Sequence, residues 1–162
     1  MLLTGNYRRT LDNKLRLAIP KQLREAIGYP QSTSLFIAPG MDQSLVIYTL
    51  EALEKLACEM EKLNPAAKDA RAFTRLLYAQ AQPADIDRQG RLRIPSELAT
   101  LAAITSEVVV LGAMDHLEIW NAAAWEKFLD SSRAIYDELA ESVMGRCRGV
   151  PADQSSFPKE AS

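Results

Sequence analysis

A ten-residue stretch occurs twice in this chain, and any fold must house both copies in the same way. Leu11-Asp12-Asn13-Lys14-Leu15-Arg16-Leu17-Ala18-Ile19-Pro20 returns as Ile86-Asp87-Arg88-Gln89-Gly90-Arg91-Leu92-Arg93-Ile94-Pro95. In each copy an apolar residue precedes Asp, an Arg follows that Asp four positions on, and Leu-x-Ile-Pro closes the stretch. A pair this closely matched in a short chain marks an internal duplication. Each copy reads as a strand, a tight turn, a second strand and a helix start. Asp favours the first position of a type I turn and Gly the fourth, which Asp87 and Gly90 satisfy. Leu-x-Ile alternates as a half-buried strand does, and Pro pushes the preceding Ile toward extended geometry. Pro20 and Pro95 suit the first turn of a helix, where a missing N–H costs little.

The order of elements after each proline also repeats. Residues 20–28 predict a short helix stopped by Gly28, and residues 96–104 predict its counterpart. Strands at 35–38 and 45–48, around a turn at 39–43, match strands at 108–111 and 117–120 around a turn at 112–116. Met41-Asp42 corresponds to Met114-Asp115, Tyr48 to Trp120, and Glu54-Lys55-Leu56 to Glu126-Lys127-Phe128. The offset drifts from 75 at the Asp pair to 73 and then 72, as loop-length changes would produce. In the first half a helix follows with Leu50, Leu53, Leu56, Ala57 and Met60 on one face, ending at Asn64-Pro65, and a second helix spans 66–80. In the second half the helix carrying Trp125, Phe128 and Leu129 continues to Met144. The expected division is 5–53 for the first unit, 54–81 for a helical connector, 82–125 for the second unit, 126–144 for a C-terminal helix and 145–162 for a flexible tail.

Charge is local, not global. The net charge of −2 and pI near 5.5 do not announce a nucleic-acid binder. Between positions 8 and 24, however, Arg8, Arg9, Lys14, Arg16, Lys21 and Arg24 face Asp12 as the one acidic residue. Clustered cations on a protruding turn are what phosphate contact requires. Arg71 and Arg75, four apart on a predicted helix, share a face, and Arg146 and Arg148 lie near the base of the tail. Cys58 and Cys147 have neither metal-type nor redox-pair spacing, so no metal site and a reduced compartment are expected. The lone histidine, His116, sits in a predicted turn beside Asp115, and no nucleophile accompanies it. With no phosphate loop, dinucleotide fingerprint or zinc spacing, neither an enzyme nor a cofactor is expected. No apolar run is long enough for a membrane span, and Met1-Leu2-Leu3 lacks a signal-peptide pattern.

These residues resemble the MraZ family of bacterial transcriptional regulators, built from two tandem AbrB-type (SpoVT-AbrB) domains. That family carries Asp-x-Lys-Gly-Arg…Pro in each half, with a Gly-x-Tyr-Arg-x-x-Leu lead-in to the first. Gly5, Tyr7, Arg8, Leu11, Asp12, Lys14, Arg16 and Pro20 match in the first half, and Asp87, Gly90, Arg91 and Pro95 in the second. The resemblance covers roughly residues 1–144. It implies an α+β fold of two AbrB-type β units with short helices, interlocked as an internal pseudodimer. It further implies a ring-shaped homo-oligomer, cytoplasmic and nucleoid-associated, that binds double-stranded DNA. Its sites would be direct repeats in the promoter region of its own division and cell-wall operon. Carried onto this chain, the DNA-binding residues are Arg8, Lys14, Arg16, Arg88 and Arg91, while Asp12, Pro20, Asp87, Gly90 and Pro95 build the motif turns. Two positions depart from the family pattern: Leu15 stands in place of Gly and Gln89 in place of Lys. Leu at positive φ costs about 1–2 kcal/mol, so a differently shaped first turn with Leu at its tip is expected. AbrB-type domains also occur in antitoxins, so an antitoxin or protein-interaction module, using the acidic segment from 130 onward, is the alternative. The duplicated domain weighs against it.

Overall fold

Apolar residues at every second position of the strands in both halves build one shared sheet. In the computed structural model, which describes residues 2–30 and 34–147, six strands form an antiparallel sheet. Its order is β1 (Asn6–Thr10), β7 (Glu107–Ala113), β8 (His116–Asn121), β4 (Leu45–Thr49), β3 (Leu35–Pro39) and β5 (Gln82–Ala84). The halves are interleaved: β1 of the first pairs with β7 of the second, β5 of the second pairs with β3 of the first, and β4 meets β8 in the middle. Each half thus completes its sheet with a strand from the other. The expected α+β architecture of two interlocked units is present.

A second sheet has only two strands, β2 (Arg16–Ala18) and β6 (Arg91–Arg93), one from each motif. Their register sets Leu17 opposite Leu92, and both side chains are fully buried. They enter a core with Leu35, Ile37, Leu45, Ile47, Val108, Val110, Leu117 and Ile119 from one face of the large sheet. Two short helices, α1 (Lys21–Ala26) and α4 (Ser96–Leu101), add Leu23, Leu98 and Ala99. The motif therefore does not close a simple hairpin. The strand before each turn joins the large sheet and the strand after it joins the small one. On the other face of the large sheet, Val109, Leu111, Trp120 and Ala122 form a smaller cluster, where Trp120 meets Trp125 edge-on at 5.3 Å.

Helices α2 (Leu50–Glu61) and α3 (Lys68–Gln80) lie where periodicity predicts them. The Thr49 hydroxyl caps α2 by accepting from Ala52 N–H at 3.2 Å. Four details differ from the sequence reading. Gln82 and Pro83 do not merely end α3 but enter β5, and an edge strand tolerates the N–H that Pro83 lacks. The β7–β8 turn is shorter than expected, because Met114 adopts φ 70° and His116 is already the first residue of β8. The C-terminal helix is broken into α5 (Ala122–Arg133) and α6 (Tyr136–Cys147). There the Ser131 hydroxyl donates to the Phe128 carbonyl at 3.0 Å, and Ile135 N–H donates to Ser132 O in a turn, so side-chain and turn bonds compete with the helix ladder. Residues 145–147, expected in the tail, belong to α6, and residues 148–162 of that tail lie outside the described residues. By chain contacts the molecule divides into Met1–Trp125 and Glu126–Ser162, and the motifs lie wholly in the first unit.

Because Leu17 and Leu92 join the two sheets, each should matter to the whole of the first unit. Leu17→Ala and Leu92→Ala are each expected to cost about 2–5 kcal/mol, read as a lowered midpoint in urea unfolding. A loss well below 1 kcal/mol at both positions would contradict the packing described.

Candidate nucleic-acid interface

Both motif turns are built by the same atoms. Asp12 Oδ1 accepts from the backbone N–H of Lys14 at 2.8 Å and of Arg16 at 3.0 Å, while Leu15 N–H donates to Asp12 O. Asp87 Oδ1 accepts from Gln89 at 2.9 Å and Arg91 at 3.0 Å, while Gly90 N–H donates to Asp87 O. The fourth residue of each turn is left-handed, Leu15 at φ 56° and Gly90 at φ 78°. This is a type I turn followed by a bulge residue, the usual three-residue connection between antiparallel segments. The expectation that Leu15 reshapes its turn is therefore corrected, since the two turns share one hydrogen-bond pattern. Nor does Leu15 stand exposed at a tip: it is half-buried against the core. Partial burial of a Leu offsets a φ penalty of about 1–2 kcal/mol. The turns are also tied across the pseudo-twofold, with Ile94 N–H donating to Leu15 O at 2.9 Å and Ile19 N–H to Gly90 O at 3.0 Å.

The second carboxylate oxygen of each Asp holds the motif arginine. Arg16 Nε donates to Asp12 Oδ2 at 2.6 Å, and Arg91 Nε donates to Asp87 Oδ2 at 2.9 Å. Arg16 is held through Nε, whereas Arg91 also brings Nη2 to 2.9 Å from Asp87 Oδ2. Hydrogen bonds to the ionised carboxylate, first the backbone N–H of Arg16 and then its guanidinium, lower the Asp12 pKa from 3.8 to about 2. Asp87 is lowered by the same contacts from Arg91.

The ribbon of β2 and β6 turns one face outward. Leu17 and Leu92 point to the core, so Arg16, Ala18, Arg91 and Arg93 lie on the other side. Arg16 stands directly opposite Arg93. Like charges facing across strands destabilise a pair unless an anion intervenes. Arg93 is exposed and has no ion pair among the described residues. At the tips, Lys14 and Arg88 are exposed, one cation per turn. Across 12–18 and 87–93 there are five cations and two carboxylates, and each carboxylate is already bonded to an arginine.

Four of the five expected basic residues, Lys14, Arg16, Arg88 and Arg91, thus gather on the ribbon and its turns. Arg8 does not join them. It pairs in register with Val109, on the sheet face opposite the main core, whereas Tyr7 and Arg9 pair with Val110 and Val108 on the core face. Arg9 lies over the Tyr7 ring at 5.7 Å, and the Tyr7 hydroxyl donates to Gln22 of α1. Arg93, outside the residues carried over from the family motif because its equivalent in the first copy is Ala18, joins them by simple alternation from Arg91. Pro20 and Pro95 stand at the N-caps of α1 and α4, in extended geometry one step before the first turn in which the sequence places them. Arg71 instead spends Nη1 on the carbonyls of Pro65 and Ala66, closing the α2–α3 connection. His116 lies between Asp115 Oδ1 at 2.8 Å and Glu118 Oε1 at 3.3 Å, and the Glu118 bond chiefly raises its pKa.

The comparisons with known proteins agree with this duplicated geometry. Residues 2–76 and again 77–147 match the family described as "MraZ protein, putative antitoxin-like". The chain belongs to the MraZ family. Proteins named transcriptional regulator MraZ are 40% identical in Ligilactobacillus salivarius over 140 residues, which are 86% of this chain and 95% of that one. In Lactiplantibacillus plantarum the identity is 38% over 140 residues, 86% and 96% of the two chains. In Alkaliphilus metalliredigens it is 34% over 139 residues, 86% and 94%. MraZ proteins are thus a family of transcriptional regulators and not of enzymes. Among the described residues no helix is long and apolar enough to cross a membrane.

The acid side of the motif follows from the carboxylates. A pKa lower in the folded than in the unfolded chain contributes stability that is present at neutral pH and is lost as pH falls through the folded value. The thermal midpoint of the wild type should therefore fall between about pH 4 and about pH 2. Asp12→Asn keeps an oxygen for the backbone N–H groups but carries no charge, so its profile over that interval should be flatter. Identical profiles for the two proteins would contradict the Asp12–Arg16 pairing.

Proposed function

We propose that this chain is a sequence-specific DNA-binding transcriptional regulator whose reading element is the β2–β6 ribbon. Its sites would be direct repeats in the promoter region of its own division and cell-wall operon. It would act there as a ring-shaped homo-oligomer in the cytoplasm, associated with the nucleoid. The observation that carries the reading is the outward row of Arg16, Arg91 and Arg93, with two of the three held by motif aspartates. A two-stranded antiparallel ribbon fits the major groove, and a guanidinium fork matches the O6 and N7 acceptors of guanine. Lys14 and Arg88 at the turn tips suit the flanking phosphates, which fix position without reading sequence.

The acidic pI is compatible with this reading if copies act together. Several weak basic ribbons on one frame, matched to repeated sites, multiply affinity through effective concentration. The rest of the surface can then stay acidic.

The test is fluorescence anisotropy of the full chain with its own upstream duplex and with a shuffled duplex, at two salt concentrations. Arg16→Ala, Arg91→Ala and Arg93→Ala should each cost about 1–3 kcal/mol on the native duplex and much less on the shuffled one. Their oligomeric state, checked by light scattering, should not change. Equal binding to both duplexes, or no binding to either, would overturn sequence-specific reading, and the second outcome would bring the protein-partner alternative forward.

A further inference from the structure

The guanidinium of Arg24 sits where a side chain on Gly90 would have to go. Arg24 belongs to α1 of the first half, and Gly90 is the fourth residue of the second half's motif turn. A Cβ built on Gly90 would collide with Nη1 and lie 2.5 Å from Cζ and 3.0 Å from Nε of Arg24. The helix of one half therefore lays a cation directly on the turn of the other. Arg24 Nε is buried and has no hydrogen-bond partner, and Arg24 makes no ion pair among the described residues. Neighbouring carboxylates are taken: Asp87 holds Arg91, and Glu25 pairs with Lys21 at 3.6 Å. Nε itself is covered, so an incoming anion meets this guanidinium through its Nη groups, where a charge-assisted hydrogen bond is strong.

The first turn has no equivalent. Arg24 corresponds to Ala99 in the second half, and Gly90 corresponds to Leu15 in the first. Arg with Gly serves one turn, and Ala with Leu serves the other. The difference also matches the charge at the third turn position, where the first half has Lys14 and the second has the neutral Gln89.

We propose that Arg24 is a DNA phosphate-binding residue of the second motif turn, supplied across the pseudo-twofold by the first half in place of a cation at position 89. This rests on the DNA-binding reading above. Arg24 contacts backbone and not bases, so it strengthens binding to any sequence. The second turn, with Arg24, Arg88 and Arg91 around it, carries more of the phosphate contact than the first.

The experiment measures the salt dependence of binding by the full chain to a 30-base-pair duplex of its upstream sequence and to its shuffled version. The proteins are wild type, Arg24→Gln, Arg24→Lys and Gly90→Ala, each checked by thermal melting. Arg24→Gln should weaken binding to both duplexes by a similar factor, about three- to tenfold at moderate salt. Its slope of log affinity against log salt should be shallower by about 0.9 for each subunit engaged. Arg24→Lys should keep most of that slope. Gly90→Ala, which keeps the charge but displaces the guanidinium from its seat, should resemble Arg24→Gln. A wild-type slope in that variant overturns the role of Arg24 even if Arg24→Gln melts early. Because position 90 lies at φ 78° in the turn that holds Arg91, a loss of slope in it counts for Arg24 only together with a slope kept by Arg24→Lys. Wild-type slopes in Gly90→Ala and in folded Arg24→Gln would overturn the role of Arg24 while leaving the DNA reading intact. Failure of the wild type to bind either duplex would overturn both.

Discussion

One carboxylate per half organises this molecule. Asp12 and Asp87 each accept two backbone N–H groups with one oxygen and an arginine Nε with the other. The first oxygen fixes the turn, and the second aims the side chain that leaves it. A turn alone would leave Arg16 and Arg91 free to sample many rotamers, and ordering such a side chain at an interface costs about 0.5–1.5 kcal/mol. Here part of that ordering is complete before any ligand arrives. The same geometry sends the chain from the large sheet to the small one, so that Leu17 and Leu92 reach the core at neighbouring positions. Turn, ribbon and core are consequences of one residue type at one spacing.

Much of this was legible because the chain states it twice. Two copies of Asp-x-x-x-Arg-Leu-x-Ile-Pro gave the turn, the following strand and the helix start, and the family resemblance gave the interlocked pair. What could not be read was pairing. Strand periodicity says which face of β1 is apolar but not that its partner is β7, nearly a hundred residues away. Alternation alone sends Arg8 and Arg9 to opposite faces, but it is that partner that puts Arg8 beside Val109, away from the main core, and Arg9 beside Val108. The break between α5 and α6 was hidden for a different reason. The break falls where Ile135 N–H bonds Ser132 O in a turn, a local backbone choice that apolar spacing does not record.

The ribbon also shows how far local charge departs from the global sum. A net charge of −2 describes the field far from the protein, but a ligand in contact meets the five cations of the turns and ribbon first. Beyond about 8–10 Å at physiological ionic strength the remaining charges are largely screened. Contact electrostatics are therefore set locally.

The two turns reach the same backbone by opposite packing. At the second, Gly90 adopts positive φ at no steric cost and its empty side is covered by Arg24. At the first, Leu15 carries the φ penalty, roughly 1–2 kcal/mol, and offsets it by burying part of its own side chain against the core. Exchanging only one partner breaks either solution: a Leu at position 90 meets the guanidinium, and a Gly at position 15 leaves its side of the core uncovered. Gly90 and Arg24 are therefore coupled across the pseudo-twofold. The consequence is functional as well as structural. One half ends with an apolar plug and the other with a cation beside its turn, so two backbones of the same shape offer different surfaces to whatever they bind.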